Sequence, residues 1–410
     1  MYRVSPFVRH FAWAFLGGSA VATAWVTLSP ASYYDMIEAR LIDGARLAAT
    51  PLAQVIPESA LVTPVTLVSD GLMALFLFFI GKELWESLVL ERGALRGRQA
   101  LVPGSAVLGG MIGAAGFWML WARFFETAEE AGPLTGWTVP LGSDIVLGYV
   151  IGRAVFGAAH PALHLLLLTG IASTIAGLAV QGLAEAGTGP HLWWLVLPLV
   201  AAVGVWLAYG RTNPRAPERV RRRSLALWPY VLAGLASWIG VAMAGLPPAL
   251  GLLPVIPAIP HADRAFGLFA EAEEFLHDPL NQLSHLCVRP LAVILFAFGL
   301  TRGGIDLMAL APTTGSILAA LWLGKPLGML LGGLLVALVL RADLPRGVRL
   351  RDFAAVAVIS GVGFTPALMT LDSGLPGGAM AEAARLGAAL SLLLWPVVVL
   401  AGLMGLSKAK

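Results

Sequence analysis

Pro140-Leu-Gly-Ser-Asp-Ile-Val-Leu-Gly148 and Leu323-Gly-Lys-Pro-Leu-Gly328 decide the fold, because each sets a charge inside an apolar segment that glycine and proline interrupt. A charge near the centre of a bilayer costs roughly 2.5–3.5 kcal/mol on insertion scales, so it persists only where a partner, a cavity or a helix end compensates it. Asp144 and Lys325 are therefore the first functional candidates. The glycines and prolines around them mark the places where a spanning helix opens its backbone.

The surrounding composition says which solvent those segments meet. Of 410 residues, 58% are hydrophobic and only 12% are charged. Apolar stretches of about 18 or more residues recur along the chain, which reads as a polytopic membrane protein. A soluble domain of this length would need more polar residues to cover its surface. The single Cys287 excludes an intrachain disulfide and fits a reducing setting. The formal charge of +3 comes from arginines dispersed in short connections, which points to membrane orientation and not to nucleic acid.

The apolar runs divide into twelve spans at roughly 11–29, 68–90, 101–121, 140–156, 162–182, 191–209, 226–245, 247–260, 286–301, 312–340, 352–371 and 383–405. The eighth is short and proline-broken, Leu246-Pro-Pro-Ala-Leu-Gly-Leu-Leu-Pro254, which also leaves eleven open. The first follows Arg3 and Arg9 without a small-residue cleavage site and reads as a retained helix. Arginines concentrate after even-numbered spans, at Arg92, Arg96, Arg98, Arg153, Arg211, Arg215, Arg219, Arg264, Arg341, Arg346, Arg349 and Arg351. The positive-inside bias then predicts cytoplasmic termini and an inner-membrane protein. Glu271 to Asp278 is expected as a surface helix, and residues 30–66 as a cap or hairpin on the opposite side.

The whole chain, 1–410, reads as one membrane domain. Within it, units at about 101–182 and 312–405 suggest an internal repeat. Gly109-Gly110 with the break at Gly142-Ser143-Asp144 corresponds to Gly324-Lys-Pro-Leu-Gly328 with the break at Gly361-Val-Gly363. Spans 3 and 10 enter from opposite sides, so the units would be inverted. Breaks at matching places in inverted halves point to a transporter site near the midplane.

Ser69-Asp-Gly-Leu-Met-Ala-Leu-Phe-Leu-Phe-Phe-Ile-Gly-Lys-Glu83, Gly109-Gly-Met-Ile-Gly113, Gly136-Trp-Thr-Val-Pro140 with Ser143-Asp-Ile145, Leu323-Gly-Lys-Pro-Leu-Gly328 and Gly361-Val-Gly-Phe-Thr365 together resemble the NhaA-type sodium/proton antiporter family. They run in family order across most of the chain. The resemblance implies an all-α fold of twelve helices with an inverted-topology repeat, in which spans 4 and 11 are interrupted and cross. Broken helices expose partial positive charge at their N-termini and partial negative charge at their C-termini. Asp144 would balance the facing N-termini and Lys325 the facing C-termini, and the two could also pair with each other.

One segment departs from the family. Where the family carries two adjacent aspartates on span 5, this chain reads Leu168-Thr-Gly-Ile-Ala-Ser-Thr-Ile-Ala-Gly177, with Ser173 and Thr174 in their places. Hydroxyls can ligate a cation but neither neutralise it nor titrate at physiological pH. Asp144 is then the carboxylate left for coupling. The candidate site comprises Asp144, Ser143, Ser173, Thr174 and Lys325, supported by the interrupted backbone at Gly142, Gly361, Gly363 and Thr365. Glu83 is a candidate for a funnel on the cytoplasmic side, although Lys82 and Glu83 could simply reach out to the interface.

Each candidate has a structural reading as well. Asp144 and Lys325 could hold crossed half-helices together, and Ser173, Thr174 and Thr169 could bond their own backbone as packing residues. His160, His164, His277 and His285 lack metal-ligand spacing and are expected at helix ends or in water. No phosphate loop, dinucleotide motif or nucleophile triad has the context an enzyme requires. The resemblance therefore implies a secondary transporter without a cofactor, and not an enzyme. It would exchange protons for a monovalent cation, with sodium or lithium as family defaults and no other metal. The alternative is a transport-inactive scaffold or accessory subunit that retains the architecture. A homodimer or a membrane-complex partner remains open.

Overall fold

No water reaches the bilayer core, so each backbone N–H and C=O there must be paired within its own segment or by neighbouring protein, and helices are the solution for a sequence this apolar. The computed structural model describes residues 7–43, 61–90, 93–125, 135–185, 191–210, 224–261 and 278–396, and nearly all of them are helical. Helix α1 (Phe7–Leu28) is followed by the short α2 (Pro30–Ile37) and by α3 (Pro64–Val89). Next come α4 (Gly97–Phe125), a 3-10 turn at Val139–Leu141, α5 (Val146–Phe156), α6 (Pro161–Glu185) and α7 (Leu192–Gly210). The second half holds α8 (Trp228–Met243), the short α9 (Pro248–Ala258), α10 (Pro279–Arg302) and α11 (Pro312–Val339). The described part closes with α12 (Leu350–Ile359), α13 (Phe364–Gly374) and α14 (Ala379–Leu390).

Among the described residues, eight helices are long and apolar enough to cross a membrane, and the bent pair α12 and α13 makes a ninth span. The three other expected spans coincide with α8 and α9, which are shorter, and with α14, whose expected continuation to 405 passes out of the described residues after 396. The proline-rich eighth span is a pair of 3-10 turns, Pro248–Leu250 and Leu253–Ala258, because its prolines remove the donors an α-helix would use. The expected hairpin in 30–66 is present as α2 and a two-residue antiparallel ladder pairing Ile42 with Val62 and Asp43 with Leu61. The surface helix expected at Glu271 to Asp278 lies outside the described residues, except that Asp278 caps α10 by accepting from the Asn281 N–H at 3.0 Å. Arg92, Arg211 to Arg223, Arg264 and the chain beyond residue 396 also lie outside them.

Helix starts follow local chemistry. Thr63 caps α3, with Pro64 at the first helical position, where no N–H is required. Helices α6, α10 and α11 likewise begin on Pro161, Pro279 and Pro312. His160 Nδ1 accepts from the Ala162 N–H at 3.2 Å, the helix-end role expected of it.

Two glycine seams set the tightest packing. Along α4, Gly109 and Gly113 lie against the carbonyls of Gly328 and Gly324 on α11, and Gly332 lies against that of Ser105. A Cβ at any of these positions would run into backbone, so only glycine permits this approach. These glycines therefore serve contact between the third and tenth spans, and α4 is unbroken through Gly109-Gly110. Gly18 on α1 similarly abuts the backbone of Phe296 on α10, and Phe15 stacks on Phe298 and meets Phe364 at a tilt of 54°. Conversely, α7 turns Trp193, Leu199, Val200 and Val203 outward. Outward apolar side chains are what a helix bathed in lipid presents.

Candidate functional site

The two interruptions meet. Between the Val139–Leu141 turn and α5, residues Gly142 to Ile145 leave helical geometry, and between α12 and α13 the break falls at Ser360 to Gly363, with a bend of 46°. The Asp144 N–H donates to the Val362 carbonyl at 2.8 Å, and the Ser143 hydroxyl donates to the Ser360 carbonyl at 3.0 Å. Each break thus satisfies polar backbone exposed by the other, which is how irregular backbone survives inside a membrane protein. The interrupted span 11 consists of two true half-helices. The first half of span 4 is a single 3-10 turn, Val139–Leu141, whose Pro140 cannot donate.

Asp144 is 4% exposed and serves two helix starts at once. Its Oδ1 accepts from the Leu147 N–H and its Oδ2 from the Thr365 N–H, both at 2.8 Å. Those donors lie in the first turns of α5 and α13, the ends that carry partial positive charge. The carboxylate balances both facing N-termini, the geometry anticipated for it.

Lys325 is 1% exposed, and its ammonium donates to the carbonyls of Pro140 at 3.2 Å and Leu141 at 2.9 Å, and also to that of Gly142. It sits directly after a wider π-helical turn, Ala320–Gly324. The expectation that it would balance both facing C-termini is corrected here. Lys325 answers the end of the first half of span 4 alone, while the end of α12 is answered by the Ser143 hydroxyl and the Asp144 N–H. No ion pair joins Asp144 to Lys325 among the described residues, because each group is turned toward a different set of backbone poles.

The two span 5 hydroxyls have different surroundings. Ser173 Oγ donates to the Gly170 carbonyl of its own helix at 3.1 Å, whereas Thr174 Oγ1 reaches across to the Ser143 carbonyl at 2.8 Å. Thr169 also bonds its own helix, to Leu165 at 2.8 Å. Thr174 is thereby part of the crossing. Gly142 and Gly363 are close to Pro366 and Leu321, and Gly361 is close to the Leu321 carbonyl. Gly363 N–H donates to the Ser391 hydroxyl at 3.3 Å, tying α13 to the last span.

Sequence reasoning missed the side chain of Thr365. Its N–H holds Asp144, and its buried hydroxyl faces that same carboxylate, with no other partner among the described residues. It also missed Gln181 on α6, whose amide donates to the Thr370 carbonyl at 2.8 Å and the Ser373 hydroxyl at 2.7 Å on α13. Neither had a local signal, because both depend on how spans pack.

Lys82 and Glu83 are corrected as well. Rather than reaching out to an interface, both are buried in α3 with Glu86, and Lys82 Nζ lies 3.3 Å from Glu83 and 3.4 Å from Glu86. Mutual pairing lets three ionisable groups remain inside. At the far end of α13, Asp372 pairs with Arg302 of α10 and lies 3.9 Å from Arg385 of α14. Arg385 also donates to Glu382 at 2.6 Å. Tyr34 on α2 donates to Glu382 at 3.2 Å, and burial followed by that carboxylate's charge raises its phenol above the usual range. Tyr33, donating to the Leu300 carbonyl at 3.0 Å, is pushed up to about 12 by burial, against a lowering by the Arg385 charge.

Apolar helices, two broken spans whose ends interlock, and opposite buried charges set on those ends define the class: a multi-pass helical membrane transporter with crossed interrupted spans. The model of the Na+/H+ antiporter 1 family matches residues 19–403, and the chain belongs to that family. It is similar to the Na(+)/H(+) antiporter NhaA of Jannaschia sp. (strain CCS1), with 38% identity over 95% of both chains. It is also similar to the Na(+)/H(+) antiporter NhaA 2 of Pelobacter propionicus, with 30% identity over 94% of this chain and 93% of the relative. The Na(+)/H(+) antiporter NhaA of Geobacter metallireducens is 29% identical over 96% of both.

Proposed function

We propose that this protein is a secondary active antiporter of a bacterial inner membrane. It exchanges a monovalent cation, sodium by family default, for protons through alternating access, at an ion site altered from the family's. Family membership and the antiporter names of its relatives support the exchange. The observation that carries the altered site is Asp144 beside the buried Thr365 hydroxyl, with Ser173 and Thr174 where the family has aspartates. A carboxylate in a low-dielectric site gains from one neutralising partner at a time, a proton or a cation, and that competition is the physical basis of exchange. Oxygens of Thr365 and Thr174 are of the type a hard cation takes as ligands. Lys325 then keeps the opposite backbone pole neutral. With one carboxylate doing the coupling, fewer protons should move per cation than in a two-aspartate site. The inverted arrangement of units 101–182 and 312–405 is the natural basis for alternating exposure of that site.

The scaffold reading has one observation in its favour: both Asp144 oxygens and the Lys325 ammonium are already engaged by backbone. Reconstituted vesicles separate the two readings. Sodium- or lithium-dependent proton flux in the wild type, lost in Asp144→Asn and weakened in apparent cation affinity in Thr174→Ala, is the expected result. Equal flux in wild type and Asp144→Asn removes that carboxylate from the mechanism. Absence of cation-dependent flux from the wild type, together with copurification of a stoichiometric partner, establishes the scaffold.

A further inference from the structure

A crevice of about 660 Å³ runs along the outside of α1, bounded by Leu16 and Leu28 at its ends, by Ile305 and Leu307 beyond α10, and by Phe364 and Leu392 on the inner side. Its walls are almost wholly apolar. The hydroxyls along it do little to change that: Thr27 donates to the Thr23 carbonyl at 2.8 Å and Thr23 to that of Gly303 at 3.4 Å, and Ser19, whose Oγ has no partner among the described residues, is itself buried. Ala20 and Ala24 keep the floor low, and both are open to the exterior.

Dimensions and position identify an occupant. Leu16 to Leu28 at 1.5 Å per residue covers about 18 Å of helix axis, close to the roughly 15 Å of hydrocarbon in one leaflet. The crevice opens sideways from a membrane-spanning helix, so the medium at its mouth is lipid. At one end the connection after α10 turns Leu307, Met308 and Leu310 outward, 61%, 90% and 74% exposed, which continues the apolar surface toward the bilayer edge. The geometry points to a binding site for one acyl chain of a membrane phospholipid, laid along α1 between that connection and the start of α13. The chain bears on Leu392, beside the Ser391 that accepts from Gly363, while Phe364, buried against Phe15, backs the inner wall. The lipid therefore packs against the last span where Ser391 ties it to the break before α13. Bilayer acyl chains are already out of water, so retention over freely exchanging lipid comes from close packing against a preformed surface and not from a hydrophobic gain.

A phosphatidylethanolamine bearing a diazirine midway along one acyl chain, incorporated into nanodiscs with the full chain, tests the site. After photolysis, peptides from Leu16–Leu28 and from Ile305–Leu307 should be labelled about tenfold above the equally lipid-facing Val196–Val203 stretch, and Ala20→Phe or Ala24→Phe should abolish the excess. Both substitutions lie on the exposed face and leave the interior packing untouched. Uniform labelling of all lipid-facing helices, meaning annular lipid only, overturns the proposal, as does labelling unchanged by either phenylalanine. If a variant fails to fold, the wild-type ratio of the two surfaces decides the matter alone.

Discussion

Replacing Lys325 by methionine keeps an unbranched chain of similar length in a site only 1% exposed and removes the charge and every donor. Three carbonyls, those of Pro140, Leu141 and Gly142, then lose their partner at the end of the first half of span 4. An unpaired buried polar group costs about 1–3 kcal/mol, so the gross loss is about 3–9 kcal/mol. Against it stands relief from burying an ammonium, worth several kcal/mol. The net destabilisation expected is about 2–4 kcal/mol. Lysine to arginine should fall between wild type and methionine. A guanidinium keeps the charge but cannot converge on three carbonyls from one point, and its bulk overpacks the site by about 1–3 kcal/mol. Thermal unfolding in mild detergent, followed by tryptophan fluorescence at neutral pH, reads the order. In soluble domains of 150–250 residues 1 kcal/mol moves the midpoint about 2–4 °C, and larger chains move less, so a fall of about 5 °C is expected for methionine. A methionine variant as stable as wild type would refute the view that this ammonium holds the broken span.

Lys82→Met should destabilise by about 3–5 kcal/mol, because it withdraws the cation from beside buried Glu83 and Glu86, and adding Glu86→Gln should restore part of that loss in the same unfolding assay. Gly113→Ala should lower the midpoint strongly, since its methyl meets the Gly324 carbonyl, whereas Gly116→Ala, with open space around it, should change stability by less than about 0.5 kcal/mol. Above the ordinary phenol value of 10.0, Tyr33 stays protonated when folded but ionises when unfolded, so stability should fall as pH rises from there to about 12. Tyr33→Phe should flatten that limb relative to wild type while costing about 1 kcal/mol at neutral pH for the lost bond to Leu300.

The apolar runs, the breaks at Gly142 to Asp144 and Gly361 to Gly363, and the two lone charges could all be read from the chain alone. Each is a local signal: lipid admits only paired backbone, glycine and proline open it, and a buried charge demands compensation. Glycines at 109, 113, 324 and 328 were visible as a pattern, but that they join two spans face to face needed the packing. Which backbone pole each charge meets was a matter for tertiary structure, because Lys325 finds Pro140, Leu141 and Gly142 from 183 to 185 residues away. The same holds for Thr365, whose hydroxyl is brought to Asp144 only by the crossing, and for Lys82, Glu83 and Glu86, whose burial depends on the helices packed over them. Composition and local breaks determined a broken-helix membrane protein. Only the three-dimensional crossing decided which oxygens and nitrogens neutralise one another, since electrostatic compensation acts through space and not along the chain.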